Sequence, residues 1–379
     1  MSANTNTNTT LPSTYRALQF HSPSEPATIV TKPTPTLPPP LGTAIIKPLQ
    51  ASVVSYTNEI FQNGNPRGYK YPLPLVPGVS CIGRLVGTPA DAPALQPGQL
   101  VLVDAVIRAR DQEAGGAEFL LGYHGGRGLS YRIMEEAWRD GTWAEVLRVP
   151  VENVHVLDEA RLLGATRLGY KLEDLGAMAS LAVPYGGLAT VKLRPGETVI
   201  VAPATGGFGG AAVHVALALG ARVIAMGRNE AALAGLEALG QGSAAAAGLG
   251  SKAVDVFFEI SPPRVVDGPN QTVPYLTAAI KSLRKKGRAV FMGGILHDVS
   301  LPVWDIAHGL KTLQGWWMYT PTQLEELIHL LESGTLRVGA ERGFKCSGVF
   351  PLEKWEEAFE VAARESAPGS YTVLAPNRE

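Results

Sequence analysis

One stretch, Thr198 to Asn229 (TVIVAPATGGFGGAAVHVALALGARVIAMGRN), constrains this chain more than any other. Thr198 to Ala202 is a short, β-branched apolar run of the kind buried on both faces of a parallel sheet. Gly206, Gly207, Gly209 and Gly210 crowd the next turn, and apolar residues then continue at helical density from Gly207 to Leu219, stopping before Gly220. A second strand is predicted at Arg222 to Met226. Strand, glycine turn, helix and strand within about thirty residues form the βαβ unit that holds a dinucleotide. Glycines let the backbone approach the pyrophosphate, whose charge sits at the helix N-terminus. Thr205, Gly206, Gly207, Phe208 and Gly209 are therefore the candidate phosphate cradle, with Ala204 standing where a GxGxxG pattern has its first glycine.

The end of the second strand is where such units choose their cofactor. Asp or Glu there binds a free ribose 2′-hydroxyl, whereas a small residue with a nearby cation accommodates a 2′-phosphate. The sequence reads Gly227-Arg228-Asn229, so a phosphate would meet a guanidinium fork rather than a carboxylate. The expected cofactor is NADPH. Gly293 and Gly294, closing a predicted strand at Arg288 to Met292, are further candidates on the cofactor side.

The chain has 379 residues, enough for two or three domains, with 45% hydrophobic and 18% charged residues. Its 33 Lys and Arg against 34 Asp and Glu leave a net charge of −1 and no basic run, which argues against nucleic acid or an anionic membrane as the main partner. The N-terminus lacks the apolar core of a signal peptide and no apolar run approaches a membrane span, so an intracellular, cytoplasmic protein is expected. Cys81 and Cys346 are too few for a disulfide framework or a four-thiolate zinc lobe.

Residues 1–13 read as a disordered polar tail. Strand-like runs follow at Tyr15 to Phe20 and Gly42 to Pro48, joined by a proline-rich rigid connector, then at Val76 to Val86, Leu100 to Val106 and Thr142 to Val149. This half reads as a β-rich, barrel-like domain. Arg108 to Asp140, containing YHGGRG (residues 123–128), reads as a surface loop or lid. From about Leu172 helices and strands alternate, with a helix at Val273 to Lys286 and a last strand at Leu310 to Trp316. Only GQGSAAAAGLGSKA separates the second helix from the strand at Val254, too little for a further strand and its crossover, so that edge of the sheet is expected to be truncated. Strand-like pattern returns at Phe344 to Phe350 and Thr372 to Leu374.

In this order the chain resembles the medium-chain dehydrogenases and reductases. PLVPGVSCIGRLVG (residues 74–87) is similar to their PxxPGHExxGxVxxVG, LQPGQLVLV to their KxGDRV strand, and RPGETVIVAPATGGFG to the PGexVLVxxAxGGVG of the quinone-reductase branch. The resemblance implies an α/β protein: a GroES-like β-rich catalytic domain, residues 14–171 and 335–379, plus a Rossmann doubly wound parallel sheet over residues 172–334. It also implies a homodimer whose last strand, KTLQGWW, pairs across a two-fold axis.

The zinc-dependent members carry a Cys in AxGVCHxD and further ligands in GHE. Here Ser55 stands at the Cys place, Val79 and Ser80 at the His and acid places, and Ala179 and Ser180 lie near the last ligand, so no catalytic metal is expected. His124 is the one stray ligand type in the insertion. Without a Lewis acid the simplest chemistry is hydride transfer from NADPH to a small conjugated acceptor, an enone, enoyl thioester or quinone. Tyr56 is the first candidate donor to the developing oxyanion, since SYTN resembles the NYxD of quinone reductases, whose Tyr lies near the nicotinamide. Tyr69 and Tyr71, in GYKYP, resemble the GxYP segment of some enoyl reductases. Ser55 and Asn58 are candidate orienting residues, although Asn58 lacks the charge of the usual Asp. The alternatives are a zinc-free carbonyl reductase or alcohol dehydrogenase, and an NADP(H)-binding sensor without turnover.

Overall fold

The computed structural model describes residues 11–22, 25–111, 116–239, 254–263, 274–296 and 298–378. Most of the expected N-terminal tail and the segment 240–253 lie outside them. The chain divides into two compact units, one of residues 1–179, 346–365 and 371–379, the other of residues 180–345 and 366–370.

The first unit runs β1 (Thr14–Gln19), β2 (Thr28–Pro33), β3 (Thr43–Val53), α1 (Thr57–Phe61), β4 (Cys81–Gly87), β5 (Leu100–Val103), β6 (Val106–Arg108), β7 (Glu118–Leu120), α2 (Leu129–Glu136), β8 (Leu147–Pro150), β9 (Val154–Val156) and α3 (Glu159–Leu163). The chain continues through α4 (Met178–Thr190), β10 (Thr198–Ala202), α5 (Gly207–Ala218), β11 (Arg222–Ala225), α6 (Glu230–Leu239), β12 (Val254–Glu259), α7 (Pro274–Ser282), β13 (Leu283–Phe291), α8 (Val303–Gly309), β14 (Thr312–Gly315) and α9 (Pro321–Ser333). It closes with β15 (Lys345–Phe350), α10 (Trp355–Arg364) and β16 (Ser370–Leu374).

The first unit is built on a sheet of order β15-β16-β3-β4-β5-β9, with β8 also on β3. At 11 residues β3 is long enough to serve three antiparallel partners: β8 at residues 43–46, β4 along 45–51 and β16 at 51–53. All of β3 except Lys47 is buried, as a strand covered on both faces must be. The core gathers around the fully buried Trp143, whose indole N–H donates to the Ser52 carbonyl at 3.3 Å. Tyr123 and Phe359 pack on its ring at centroid distances of 5.8 and 5.1 Å. Phe359 comes from the apolar face of α10, so the returning C-terminal segment completes this core.

The second unit holds a five-stranded, all-parallel sheet of order β11-β10-β12-β13-β14. Every residue of β10 is buried, and α5 is buried from Gly209 through Ala216, which explains why α5 is apolar all round rather than amphipathic. The strand order reverses between β10 and β12, and in open sheets of this type ligands bind outside the carboxyl ends of the strands at that switch.

Several expectations need correction. Among its described residues the insertion is more than a surface loop: β6 and β7 pair antiparallel, α2 follows, and Phe119, Leu121, Tyr123 and Met134 are buried. Gly122 explains the tight turn between them, because its φ is +62° and a Cβ would come within 2.8 Å of the Gly78 carbonyl. The proline-rich connector begins as strand, since Thr31 to Pro33 belong to β2, paired with β1. The strand expected from Val76 starts only at Cys81; a Cβ on Gly78, at φ +113°, would meet the Thr142 hydroxyl at 2.3 Å. The helix expected to reach Lys286 stops at Ser282, and β13 begins at once with a bulge between its pairings to Val254 and Val256. Arg284 within that bulge bonds to Asp255, so a charged LRKK run that reads as helix is drawn onto the sheet beside β12 by ion pairing.

Candidate functional site

The candidate residues fall in both units, and each group is described in its own unit. In the second, β10 delivers the chain through Pro203 and Ala204 to Gly206, the extended N-cap of α5. The glycines here have different physical reasons. A Cβ on Gly209 would meet the Pro203 carbonyl oxygen at 2.0 Å, so only glycine lets α5 approach the strand end. Gly206 and Gly207 have nothing within 4 Å of a built Cβ, leaving open space beside the helix N-terminus where an anionic phosphate is favoured. Thr205 and Phe208 flank that space half-buried.

Gly227 lies against Thr205, whose methyl a Cβ would meet at 2.3 Å, so the acidic residue of an NAD site is sterically excluded while Thr205 keeps this rotamer. Arg228 is exposed and enters no ion pair among the described residues. Asn229 plays a structural part, since its Oδ1 accepts the Ala232 N–H at 3.0 Å and caps α6. Gly293 and Gly294 are packing glycines, since added Cβ atoms would meet Glu259 and Ser261 at 2.4 Å and Pro263 at 2.9 Å. Sequence reading missed Glu259. It is buried at the end of β12, and its carboxylate accepts from the Ser261 N–H at 2.8 Å, the Gly293 N–H at 3.2 Å and the Tyr275 hydroxyl at 3.2 Å. Its only sequence signal is an acid terminating an apolar strand.

In the first unit, Ser55 and Tyr56 lead into α1, and Ser55, Tyr56 and Asn58 are all half-buried. Tyr56 and Tyr69, thirteen positions apart, come together with ring centroids 6.3 Å apart, edge to face. The Arg67 guanidinium lies 3.9 Å from the centre of the Tyr56 ring and donates to Glu59 at 2.8 Å. Burial, reinforced by the Tyr69 hydroxyl, holds the Tyr56 phenol well above its usual 10, with Arg67 opposing. A phenol so placed stays neutral and keeps its proton to donate.

Tyr69 is held from two sides. Asn65 accepts the Tyr69 N–H at 3.0 Å and donates to its carbonyl at 2.7 Å, and the His124 ring stacks on the Tyr69 ring at 4.6 Å. Nδ1 of His124 accepts the Lys70 N–H at 2.8 Å, which fixes the neutral tautomer with its proton on Nε2; burial holds this imidazole below its usual 6.5. Tyr71 turns away: its hydroxyl donates to the Ile60 carbonyl at 3.3 Å and its ring packs on Phe61. Arg67 and the structural part played by His124 were not legible in the sequence, because contacts across this loop follow no period.

Zinc does not fit the positions that would hold it. Val79 is buried and apolar, Ala179 offers a methyl group, and the Ser80 hydroxyl is buried and donates to the Val103 carbonyl at 2.7 Å. Among the described residues no group of three His, Cys, Asp or Glu side chains is placed to hold a metal ion.

A β-rich antiparallel unit interrupted by a five-stranded parallel sheet, with the C-terminal segment returning to the first unit, decides the architecture. The fold is that of the medium-chain dehydrogenases and reductases. Residues 207–333 match the family described as zinc-binding dehydrogenase. Among solved structures, a cobalt- and zinc-bound thermostable alcohol dehydrogenase from Pyrobaculum aerophilum is 20% identical, with 96% of this chain and 100% of that one covered at a TM-score of 0.70. A 2R,3R-butanediol dehydrogenase from Bacillus subtilis is 18% identical over 96% of this chain and all of its own, at 0.71. A crotonyl-CoA carboxylase/reductase is 16% identical over 96% of this chain and 89% of its own, at 0.70. No curated protein matches the chain. At these identities the likeness shows the fold alone, and the neighbours' names include both dehydrogenases and a carboxylase/reductase.

Proposed function

We propose that this protein is an NADPH-dependent, metal-independent oxidoreductase that reduces a small conjugated carbonyl compound, an enone, enoyl or quinone. The observation that carries the reading is Tyr56: a partly buried phenol, kept protonated by burial and fixed beside Tyr69, in a unit whose metal-ligand positions are Ser55, Val79, Ser80 and Ala179. When bound, NADPH supplies a hydride from C4 of its nicotinamide. The chain's part is to hold the diphosphate at Gly206 and Gly207, to meet the 2′-phosphate with Arg228, and to give the acceptor oxygen a hydrogen bond from Tyr56 as negative charge develops there. Tyr69, clamped by Asn65 and His124, keeps Tyr56 in place and is the second candidate donor. Ser55 and Asn58 flank the same phenol in sequence and orient the acceptor.

NADPH consumption on an enone tests this with two variants. Tyr56→Phe is expected to lower turnover about 10²-fold, the low end for one general-acid group, with NADPH affinity unchanged. Arg228→Ala is expected to weaken NADPH far more than NADH, which has no 2′-phosphate to lose. Unchanged turnover in the first would move the donor role to Tyr69, and equal losses in the second would remove the NADPH preference. The alcohol dehydrogenase neighbours favour carbonyl reduction as a second reading, and saturated ketones in the same assay separate the two.

A further inference from the structure

Beside Tyr69 the first unit contains a cavity of about 350 Å³, walled by Phe61, Tyr69, Tyr71 and Tyr131, with Lys70 and Asn65 at its edge. That volume lies at the low end for small-molecule sites, about 300–1,000 Å³. It is large enough for a ring system.

The insertion builds this cavity. The β6–β7 pair ends in a turn where the Leu120 N–H donates to the His124 carbonyl at 3.0 Å, which sets His124 against Tyr69. Gly125 N–H then donates to the Lys70 carbonyl at 2.6 Å, so residues 124 and 125 grip the 69–71 segment at both Lys70 backbone groups. α2 passes directly over Gly125, where a Cβ would meet Tyr131 at 3.2 Å and Met134 at 3.0 Å. The absence of a side chain at Gly125 thus lets α2 bring Tyr131 to the cavity. The walls are fixed before any ligand arrives, which lowers the ordering cost of binding.

The polar inventory narrows what fits. Both ends of the Asn65 carboxamide are used by the Tyr69 backbone, and the Tyr71 hydroxyl is donated to Ile60. With the Tyr69 hydroxyl engaged by Tyr56, the Tyr131 hydroxyl and one exposed ammonium, Lys70, remain to direct a ligand. A single lysine is a poor match for the three phosphate groups of a coenzyme A thioester. Four aromatic rings favour a flat π-system, which they meet in offset or edge-to-face contact.

We propose that this cavity receives the aryl group of an aryl-conjugated carbonyl substrate, with Tyr131 of the insertion as a specificity-determining residue. The proposal rests on the reductase reading and narrows its substrate class. The test compares kcat/KM for benzylideneacetone and ethylideneacetone with NADPH, and follows calorimetric binding of benzylacetone, which lacks the conjugated double bond, to protein with and without NADP⁺. The wild-type protein is expected to prefer the aryl enone at least about tenfold, Tyr131→Ala to lose about tenfold of that ratio, and Tyr131→Phe to keep it. Tyr131→Leu, which keeps apolar bulk on α2, serves if the Ala variant is poorly folded. An unchanged ratio in the Ala and Leu variants, or no benzylacetone binding by the wild type, overturns the aryl site while leaving enone reduction intact. Benzylacetone binding that Tyr131→Ala abolishes, with no NADPH consumed on any acceptor, upholds the aryl site and defeats the reductase reading instead.

Discussion

His214 illustrates how a residue that looks chemical can be purely structural. It sits within α5, its Nε2 has no hydrogen-bond partner among the described residues, and its ring packs on Phe344 at 4.2 Å. Burial pushes its pKa down to about 4 from the usual 6.5. The unfolded chain therefore binds a proton near pH 6 that the folded chain does not, and stability falls as pH drops from about 6.5 towards 4. Between about pH 7 and about pH 5 this one group should cost about 2 kcal/mol. His214→Phe, which keeps a ring against Phe344, is expected to shrink the difference in melting temperature between those two conditions. An unchanged difference would show that His214 is protonated without penalty. At this scale the sequence offers a reading only where chemistry is carried by residue type, as in the proposed 2′-phosphate site at Gly227-Arg228, and is silent where it is carried by contact. Nothing in a one-dimensional pattern joins Tyr69 to His124 across 55 positions, and Glu259 was indistinguishable from any acid ending a strand.

The turn from β10 into α5 shows the same division at the scale of an element. Its glycine cluster reads as one motif, yet Gly209 is demanded by packing and Gly206 by nothing within the fold. Gly209→Ala is expected to lower stability by about 1–3 kcal/mol or more, because the new methyl meets a backbone carbonyl that cannot swing aside. Gly206→Ala should leave the melting temperature within a degree or two of the wild type's while weakening NADPH about tenfold, if the open space beside it is where the diphosphate lies. Comparable melting-temperature losses in both would refute that separation. Strand and helix placement was legible here because β10 and α5 are uniformly apolar and glycine-bounded. The insertion was not: its glycines suggested a loop, whereas Gly122 lets the turn after β7 pack against the Gly78 backbone and Gly125 lets α2 pass closely over it.

For the whole molecule, the antiparallel β-rich part and the parallel sheet followed from motif order, which is why the fold class could be read from one chain. Assembly is a separate matter. β14 ends the parallel sheet, and the segment around it leaves Leu301, Val303, Trp304, Leu310 and Trp317 exposed. A strand edge unpaired among the described residues, beside exposed apolar side chains, would favour the homodimer that the family resemblance implies. Light scattering across the micromolar range should give twice the 40.1 kDa chain mass, and a monomer throughout would remove the idea.

Hydride transfer without a metal, with a neutral phenol at Tyr56 in place of a Lewis acid, is the central claim about this molecule. The most direct measurement is NADPH consumption on benzylideneacetone by protein treated with a strong chelator, alongside elemental analysis of the protein before treatment. No stoichiometric zinc and undiminished turnover after chelation are the predicted results. About one zinc per chain, with activity lost on its removal and restored by adding it back, would contradict the claim.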